Sequence, residues 1–242
     1  MPRLFIADLH LTPERPDILR AFLHFMEHTA YQADELYLLG DIFEAWIGDD
    51  APLGPLVEVE KALKQFSDSG RALFFQHGNR DFLVGSDFAE RTGAQILPEV
   101  YPIALPQGAA ILLHGDQLCI DDHDYQAFRT MVRNPEWQAA FISKPIEERI
   151  AIAKALREKS KSMGQQKSSE IMDVNSQSVI STLDNHNAQL MIHGHTHRPA
   201  VHELSGGRQR IVLGDWDTSL WYLYQDDQEL TLIHKPIDSN AS

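Results

Sequence analysis

Six short apolar runs punctuate the chain: RLFIAD (3–8), ELYLLGD (35–41), ALFFQHGN (72–79), AAILLHGD (109–116), QLMIHGH (189–195) and RIVLGD (210–215). Each is continuously apolar rather than alternating, the pattern of a strand covered on both faces of its sheet. Between the first two, RPDILRAFLHFMEHTA (15–30) sets Ile18, Leu19, Phe22, Phe25 and Met26 at helical spacing. PLVEVEKALKQFSDSG (55–70) repeats that period and stops at Gly70, a residue suited to closing a helix. Strand-helix-strand alternation predicts a layered α/β fold.

The middle of the chain differs. No strand pattern occurs from Gln126 to Lys167. YQAFRTMVRNPEWQAAFIS (125–143) predicts two helical pieces parted at Asn134-Pro135. PIEERIAIAKALREKSKS (145–162) opens with Pro145, Glu147 and Glu148 and ends with Arg157, Lys159 and Lys161. That order complements a helix dipole. Residues 126–167 hold nine Lys or Arg against four Glu, in a chain whose formal charge is −14. A basic helical insertion, 123–167, is therefore expected within an acidic α/β body formed by 1–122 and 168–242.

The 242 residues suffice for one large domain or one domain with an insertion. The acidic balance opposes non-specific binding to nucleic acid, so no nucleic-acid partner is expected. The single cysteine, Cys119, excludes a disulfide framework or a thiolate zinc site within one chain. The apolar run in MPRLFIADLHL is too short for a signal peptide. No stretch approaches the ~18 apolar residues of a spanning helix. A cytoplasmic protein is expected, at most resting on a membrane surface.

The chemistry gathers at strand ends. Asp8-Leu9-His10 follows the first run, and Gly40-Asp41 the second, with Phe43-Glu44 beyond. Gly78-Asn79-Arg80-Asp81, His114-Gly115-Asp116 and His193-Gly194-His195-Thr196-His197 follow the next three. In layered α/β proteins, sites form beyond the carboxyl ends of strands. Taken alone, an Asp-x-His is commonplace and a Gly-Asp is usually a turn. The ordered set of five is what points to a site. Imidazole with carboxylate suits Mn, Fe, Co or Zn. Asp8, His10, Asp41, Asn79, His114, His195 and His197 are too many ligands for one open site, and suit two metals sharing a carboxylate. Such a pair clamps a phosphoryl group. Arg80 can pair with a phosphate through its planar donor fork. His77 and His193, placed within strands, read as structural support.

These motifs in this order (D-x-H, G-D, G-N-x-[DE], H-G, G-H-x-H) resemble the calcineurin-like metallophosphoesterases. The resemblance implies a four-layer αββα sandwich, here with a helical cap insertion. It implies that Asp8, His10, Asp41 and His197 hold one metal and that Asp41, Asn79, His114 and His195 hold the other, with Asp41 bridging. One position departs: most members carry His where Arg80 stands. Arginine stays protonated and cannot act as a general acid. A leaving group needing little protonation, as in a pyrophosphate, fits that change.

GNRDF, GDIFEAWIGDD, HGDQLC followed by Asp121, Asp122 and Tyr125, and GHTHRP resemble the UDP-2,3-diacylglucosamine hydrolases of Gram-negative lipid A biosynthesis. The implied reaction releases UMP and 2,3-diacylglucosamine 1-phosphate (lipid X) by attack of metal-activated water on the α-phosphorus, with two Mn2+ ions. Asp41, Asn79, Arg80, His114 and His195 carry the catalytic roles by this resemblance. Substrate contacts fall on Asn79, Arg80, Asp122, Ser160, Gly164 (through backbone alone), Lys167 and His195. The insertion then supplies an apolar chamber from Phe128, Met131, Val132, Phe141, Ile142 and Ile152, and headgroup donors from Arg157, Ser160, Lys161 and Lys167. Its basic surface suits peripheral attachment to the anionic cytoplasmic face of the inner membrane, at about 1 kcal/mol per well-placed Lys or Arg. No obligate protein partner is evident. The alternatives are another metallophosphoesterase, acting on soluble nucleotides or nucleic acid, and a non-catalytic scaffold. Soluble substrates leave the insertion without a purpose, and a scaffold does not require every ligand position to be filled.

Overall fold

In the computed structural model the described residues are 1–164 and 173–237, with side chains described through 158 and again from 173. The first half runs β1 (Arg3–Ile6), α1 (Pro16–His28), β2 (Glu35–Leu39), α2 (Val57–Asp68), β3 (Ala72–Gln76), α3 (Ser86–Thr92), β4 (Gln95–Ile96), β5 (Tyr101–Leu105) and β6 (Gly108–Leu112). Three helices follow: α4 (His123–Val132), α5 (Pro135–Ile142) and α6 (Ile146–Gly164). The chain then forms α7 (Ser176–Asn185), β7 (Leu190–His193), β8 (Ala200–Glu203), β9 (Gln209–Val212), β10 (Ser219–Gln225) and β11 (Leu230–Pro236).

Strand alternation sorts the apolar side chains into layers. One sheet has the order β11-β10-β1-β2-β3-β4 and the other β5-β6-β7-β9-β8. From β1 and β2, Leu4, Ile6, Leu36 and Leu38 join Phe22, Phe25, Leu63 and Phe66 of α1 and α2. Their neighbours Phe5, Tyr37 and Leu39 point the other way, into a second core shared with Leu112, Ile192 and Ile211. Across the second sheet, Ile111, Leu113 and Met191 pack on Val179 and Leu183 of α7. A period of two thus gives each sheet two apolar faces. The result is the four-layer αββα order.

All six apolar runs are strands, and both amphipathic helices form. The helical break at Asn134-Pro135 is a cap: Asn134 accepts from the N–H groups of Glu136 (2.7 Å) and Trp137 (3.4 Å), and Pro135 opens α5. Among the described residues, no helix is long and apolar enough to cross a membrane.

Candidate metal and catalytic site

Strands β1, β2 and β3 lie side by side and parallel, as do β6 and β7 in the second sheet. Their carboxyl ends deliver all seven predicted ligands to one edge of the sandwich. Pairing continues past the strands, with Asp8 N–H donating to Gly40 (3.0 Å) and His10 N–H to Asp41 (3.0 Å). The buried Asp81 cross-ties two ligand loops, accepting from the N–H groups of Gly78 (2.8 Å), Asp41 (3.2 Å) and Ile42 (2.8 Å). Gly78 and Gly194 are required by close approach. A Cβ on Gly78 would lie 2.2 Å from Asp41 N and Oδ1, and one on Gly194 2.2 Å from Asp8 Oδ2. The backbone is strained at the same places. Asp8, His10, Asp41, His195 and His197 have φ between 49° and 68°, and Asn187 is the one other non-glycine in this region among the described residues. Such residues cluster at functional sites.

The side chains converge as two overlapping groups, Asp8-His10-His197 and Asp8-Asp41-His114, each with ligand atoms within 4.8 Å of one another. Asp8 is common to both, whereas the family resemblance put the shared ligand at Asp41. Nε2 of His10 lies 3.3 Å from Nε2 of His197. The outer nitrogens face carboxylates: His10 Nδ1 is 3.3 Å from Glu44, close but not aligned as a hydrogen bond, and His197 Nδ1 is 3.5 Å from Asp215. His114 donates through Nδ1 to the Leu39 carbonyl (2.9 Å), which turns its Nε2 lone pair towards Asn79 Oδ1 (3.0 Å) and Asp41 Oδ1 (3.6 Å). His195 Nδ1 meets the same Asn79 oxygen at 2.9 Å.

This donor set fits divalent cations. Asp8 Oδ1 is buried and has no hydrogen-bond partner among the described residues. Carboxylate and imidazole groups from adjoining loops, with Nε2 of His10 and of His197 facing each other, are the donor types that a divalent transition metal takes. Electrostatics divides the histidines. Burial opposes charge on His197, but Asp8 outweighs it and raises the pKa to about 9. Burial, helped by nearby His114, lowers His195 to about 4. Burial also pushes Asp8 upwards, yet the His197 imidazole 3.5 Å away and the nearby His114 and His10 hold it well below the usual carboxylate range.

The other predicted positions are more scattered. Arg80 borders a cleft open to solvent, its Nε 3.9 Å from Asp41 Oδ2 and without a hydrogen-bond partner among the described residues. Asp122 caps α4 by accepting from the Tyr125 N–H (3.1 Å). Ser160 and Gly164 lie in the last turns of α6, where side chains are not described, and Lys167 lies outside the described residues. Of the predicted chamber residues, Phe128 and Phe141 line the cleft, joined by Trp46, Phe82, Trp137 and Leu156. Met131 and Ile142 are exposed and Val132 is buried, because those helical positions face away from the cleft. Ile152 packs on the main core instead. His193 is buried, accepts from Arg210 (3.2 Å), and has a pKa lowered to about 3 by burial and by that guanidinium.

The sequence reading gave no role to the attachments between helices and body. Buried Asp116 accepts from Tyr125 Oη (2.7 Å) and Arg129 Nε (2.8 Å). Arg133 donates to the Gly78 carbonyl (2.9 Å), immediately before Asn79. Arg149 forms a fork with Asp50 (2.6 and 2.5 Å), and Arg157 pairs with Glu44. The visible signal was only the charge contrast between the insertion and the body.

A family model for calcineurin-like phosphoesterases matches residues 1–199. The UDP-2,3-diacylglucosamine hydrolase of Tolumonas auensis is 51% identical over 243 residues, covering 99% of each chain. Those of Marinobacter nauticus and Escherichia coli are 47% and 48% identical, over 98% of this chain and 99% and 100% of theirs. Among solved structures, Vps29 of Entamoeba histolytica complexed with Zn2+ is 14% identical with a TM-score of 0.51, covering 100% of this chain and 95% of that one. That likeness concerns the fold alone. With its sandwich, its ligand-bearing strand ends and these relatives, the chain belongs to the UDP-2,3-diacylglucosamine hydrolase family of calcineurin-like phosphoesterases.

Proposed function

We propose that the protein hydrolyses the pyrophosphate bond of UDP-2,3-diacylglucosamine, releasing UMP and 2,3-diacylglucosamine 1-phosphate for lipid A biosynthesis. The observation that carries this reading is the meeting at Asn79-Arg80 of a clustered ligand set and an apolar, helix-lined cleft. A nucleotide-linked lipid needs both. Two Mn2+ ions fit the reading, one held by Asp8, His10, Asp41 and His197, the other by Asp41, Asn79, His114 and His195. When bound, such a pair activates water and neutralises phosphoryl charge.

The chain's own groups do the rest. Arg80, beside Asp41, supplies fixed positive charge to the phosphoryl oxygens, an electrostatic role that needs no proton transfer. The departing sugar phosphate already carries its charge well, so a permanently protonated guanidinium is adequate. Leu39 keeps His114 in the tautomer that offers Nε2. Residues 123–167 act in this reading as a cap over the acyl chains, with Phe128, Trp137 and Phe141 as its apolar surface. Asp122, Ser160, Gly164 and Lys167 remain substrate contacts by resemblance.

Attachment to the cytoplasmic face of the inner membrane is part of the proposal. Met131, Ile142 and Ile150 are exposed on the cap, with Lys144 two positions after Ile142 and Lys154 four positions after Ile150 in the chain. Co-sedimentation with anionic but not neutral vesicles tests it.

The deciding experiment is UMP release from UDP-2,3-diacylglucosamine by purified protein with Mn2+, beside UDP-N-acetylglucosamine and a chelated control. Mn-dependent turnover of the acylated substrate alone is expected. Equal turnover of both sugars removes the lipid assignment and leaves the metal site.

A further inference from the structure

One carboxylate stands between the two sides of the cleft. Glu44 lies in the loop after β2, three residues past Asp41, and lines the cleft. Its Oε2 is 3.3 Å from Nδ1 of His10, whose other nitrogen faces His197. Its Oε1 pairs with Nη2 of Arg157 on α6. The same loop receives α6 a second time, where Arg149 forks onto Asp50 and donates to the Ile47 carbonyl (2.9 Å). Residues 149 and 157 are eight apart and share a helix face, so one loop meets one face at two points.

The two contacts differ in what can replace them. Arg149 is 4% exposed and surrounded by protein acceptors. Arg157 is 41% exposed and borders the cleft, within reach of an anion entering it. Phosphate oxygens offer a guanidinium the same forked acceptor that a carboxylate does.

We propose that Glu44 is a positioning residue: its carboxylate orients the metal ligand His10 and holds Arg157 at the cleft border, from which Arg157 transfers to a substrate phosphate. The proposal rests on the reading of the site as a metal-dependent phosphohydrolase. A carboxylate on the outer nitrogen of a ligating imidazole fixes its tautomer and strengthens it as a ligand. Pre-holding a guanidinium reduces the rotamer freedom lost when an anion takes it over.

The test uses Glu44→Ala, Glu44→Gln, Arg157→Ala and the double variant Glu44→Ala/Arg157→Ala. Mn2+ affinity is read by calorimetry on metal-stripped protein, and KM and kcat at saturating Mn2+. Glu44→Ala is expected to weaken Mn2+ binding about 10- to 100-fold. Glu44→Gln recovers most of that affinity, since its amide oxygen can take the carboxylate's place beside His10 Nδ1, but lacks the charge that holds Arg157. Arg157→Ala leaves Mn2+ affinity unchanged and raises KM. At saturating metal, the double variant has the KM of Arg157→Ala alone. Wild-type Mn2+ affinity in Glu44→Ala overturns the proposal, as does a glutamine variant no better than alanine, or KM effects that multiply in the double variant. If the wild type leaves the diacylated substrate untouched, the substrate reading fails, and the metal titration still decides for or against Glu44.

Discussion

The two walls of the cleft follow opposite plans. The body wall is backbone-built: strand ends continue their pairing into the loops, and Asp81 ties two of those loops together. The cap wall is attached by side chains: Arg129 on Asp116, Arg133 on the Gly78 carbonyl, Arg149 on Asp50 and Arg157 on Glu44. Four of the insertion's cations therefore meet acceptors of the body. Much of the charge contrast between insertion and body is adhesion, and only part of it is solvated surface. The difference teaches that the chemistry is local in sequence while the walls are joined by distant partners.

The comparison is broken most severely at the centre of the body wall. Asp41→Ala should remove metal and activity together. Loss of a single preorganised donor already costs about 10^2- to 10^3-fold in turnover, and this variant should exceed that. Metal analysis beside the UMP-release assay checks it, and a fully metallated, active variant refutes the ligand assignment. Arg80→Ala separates charge from metal: metal content should stay at the wild-type level while turnover falls by about 10^2- to 10^3-fold.

The cap attachments give smaller effects, read as stability. Asp116 and Arg129 are 2% and 14% exposed, so Asp116→Ala leaves the guanidinium with only the half-exposed Glu99 and the Tyr125 hydroxyl without its acceptor. Urea denaturation should show a loss of about 3–5 kcal/mol. Asp50 is 56% exposed and its loss leaves Arg149, itself 4% exposed, with the Lys144 and Ile47 carbonyls as acceptors, so its replacement by alanine should cost less, about 1–3 kcal/mol. Equal losses would mean that the attachments do not differ in kind. Smallest is the effect at Cys119. Burial, with the acidic residues around it, pushes its thiol up to about 12. The thiolate is the reactive form. Alkylation at pH 8 should therefore proceed only as fast as the protein unfolds, and rapid modification of the folded protein would contradict that burial.

The sequence announced strands that are buried on both faces. Strands β1, β2 and β7 belong to continuous apolar runs, and the chemistry follows them directly. It concealed the edges. Strand β11 is exposed along most of its length, and β5 alternates half-buried and exposed positions, so neither stands out from a loop. Helix α7 buries only Val179 and Leu183 from a run of polar residues. Within the site, the candidate ligands could be picked out because each sits in a short motif. The tie from Arg133 to Gly78 spans 55 positions and uses a backbone acceptor, which leaves no mark on residue identity. Glu44 and Asp215 were visible as acids, but only the folded geometry brings them to the outer nitrogens of His10 and His197.

The left-handed backbone at Asp8, His10, Asp41, His195 and His197 has an evolutionary consequence. Each such residue carries about 1–3 kcal/mol of strain that glycine would not. In the metal-free chain, drift at these positions is biased towards more stable, catalytically silent descendants. Selection for activity must act continuously against that slope. Lineages released from the reaction should lose these side chains first, and keep the sandwich long after the chemistry has gone.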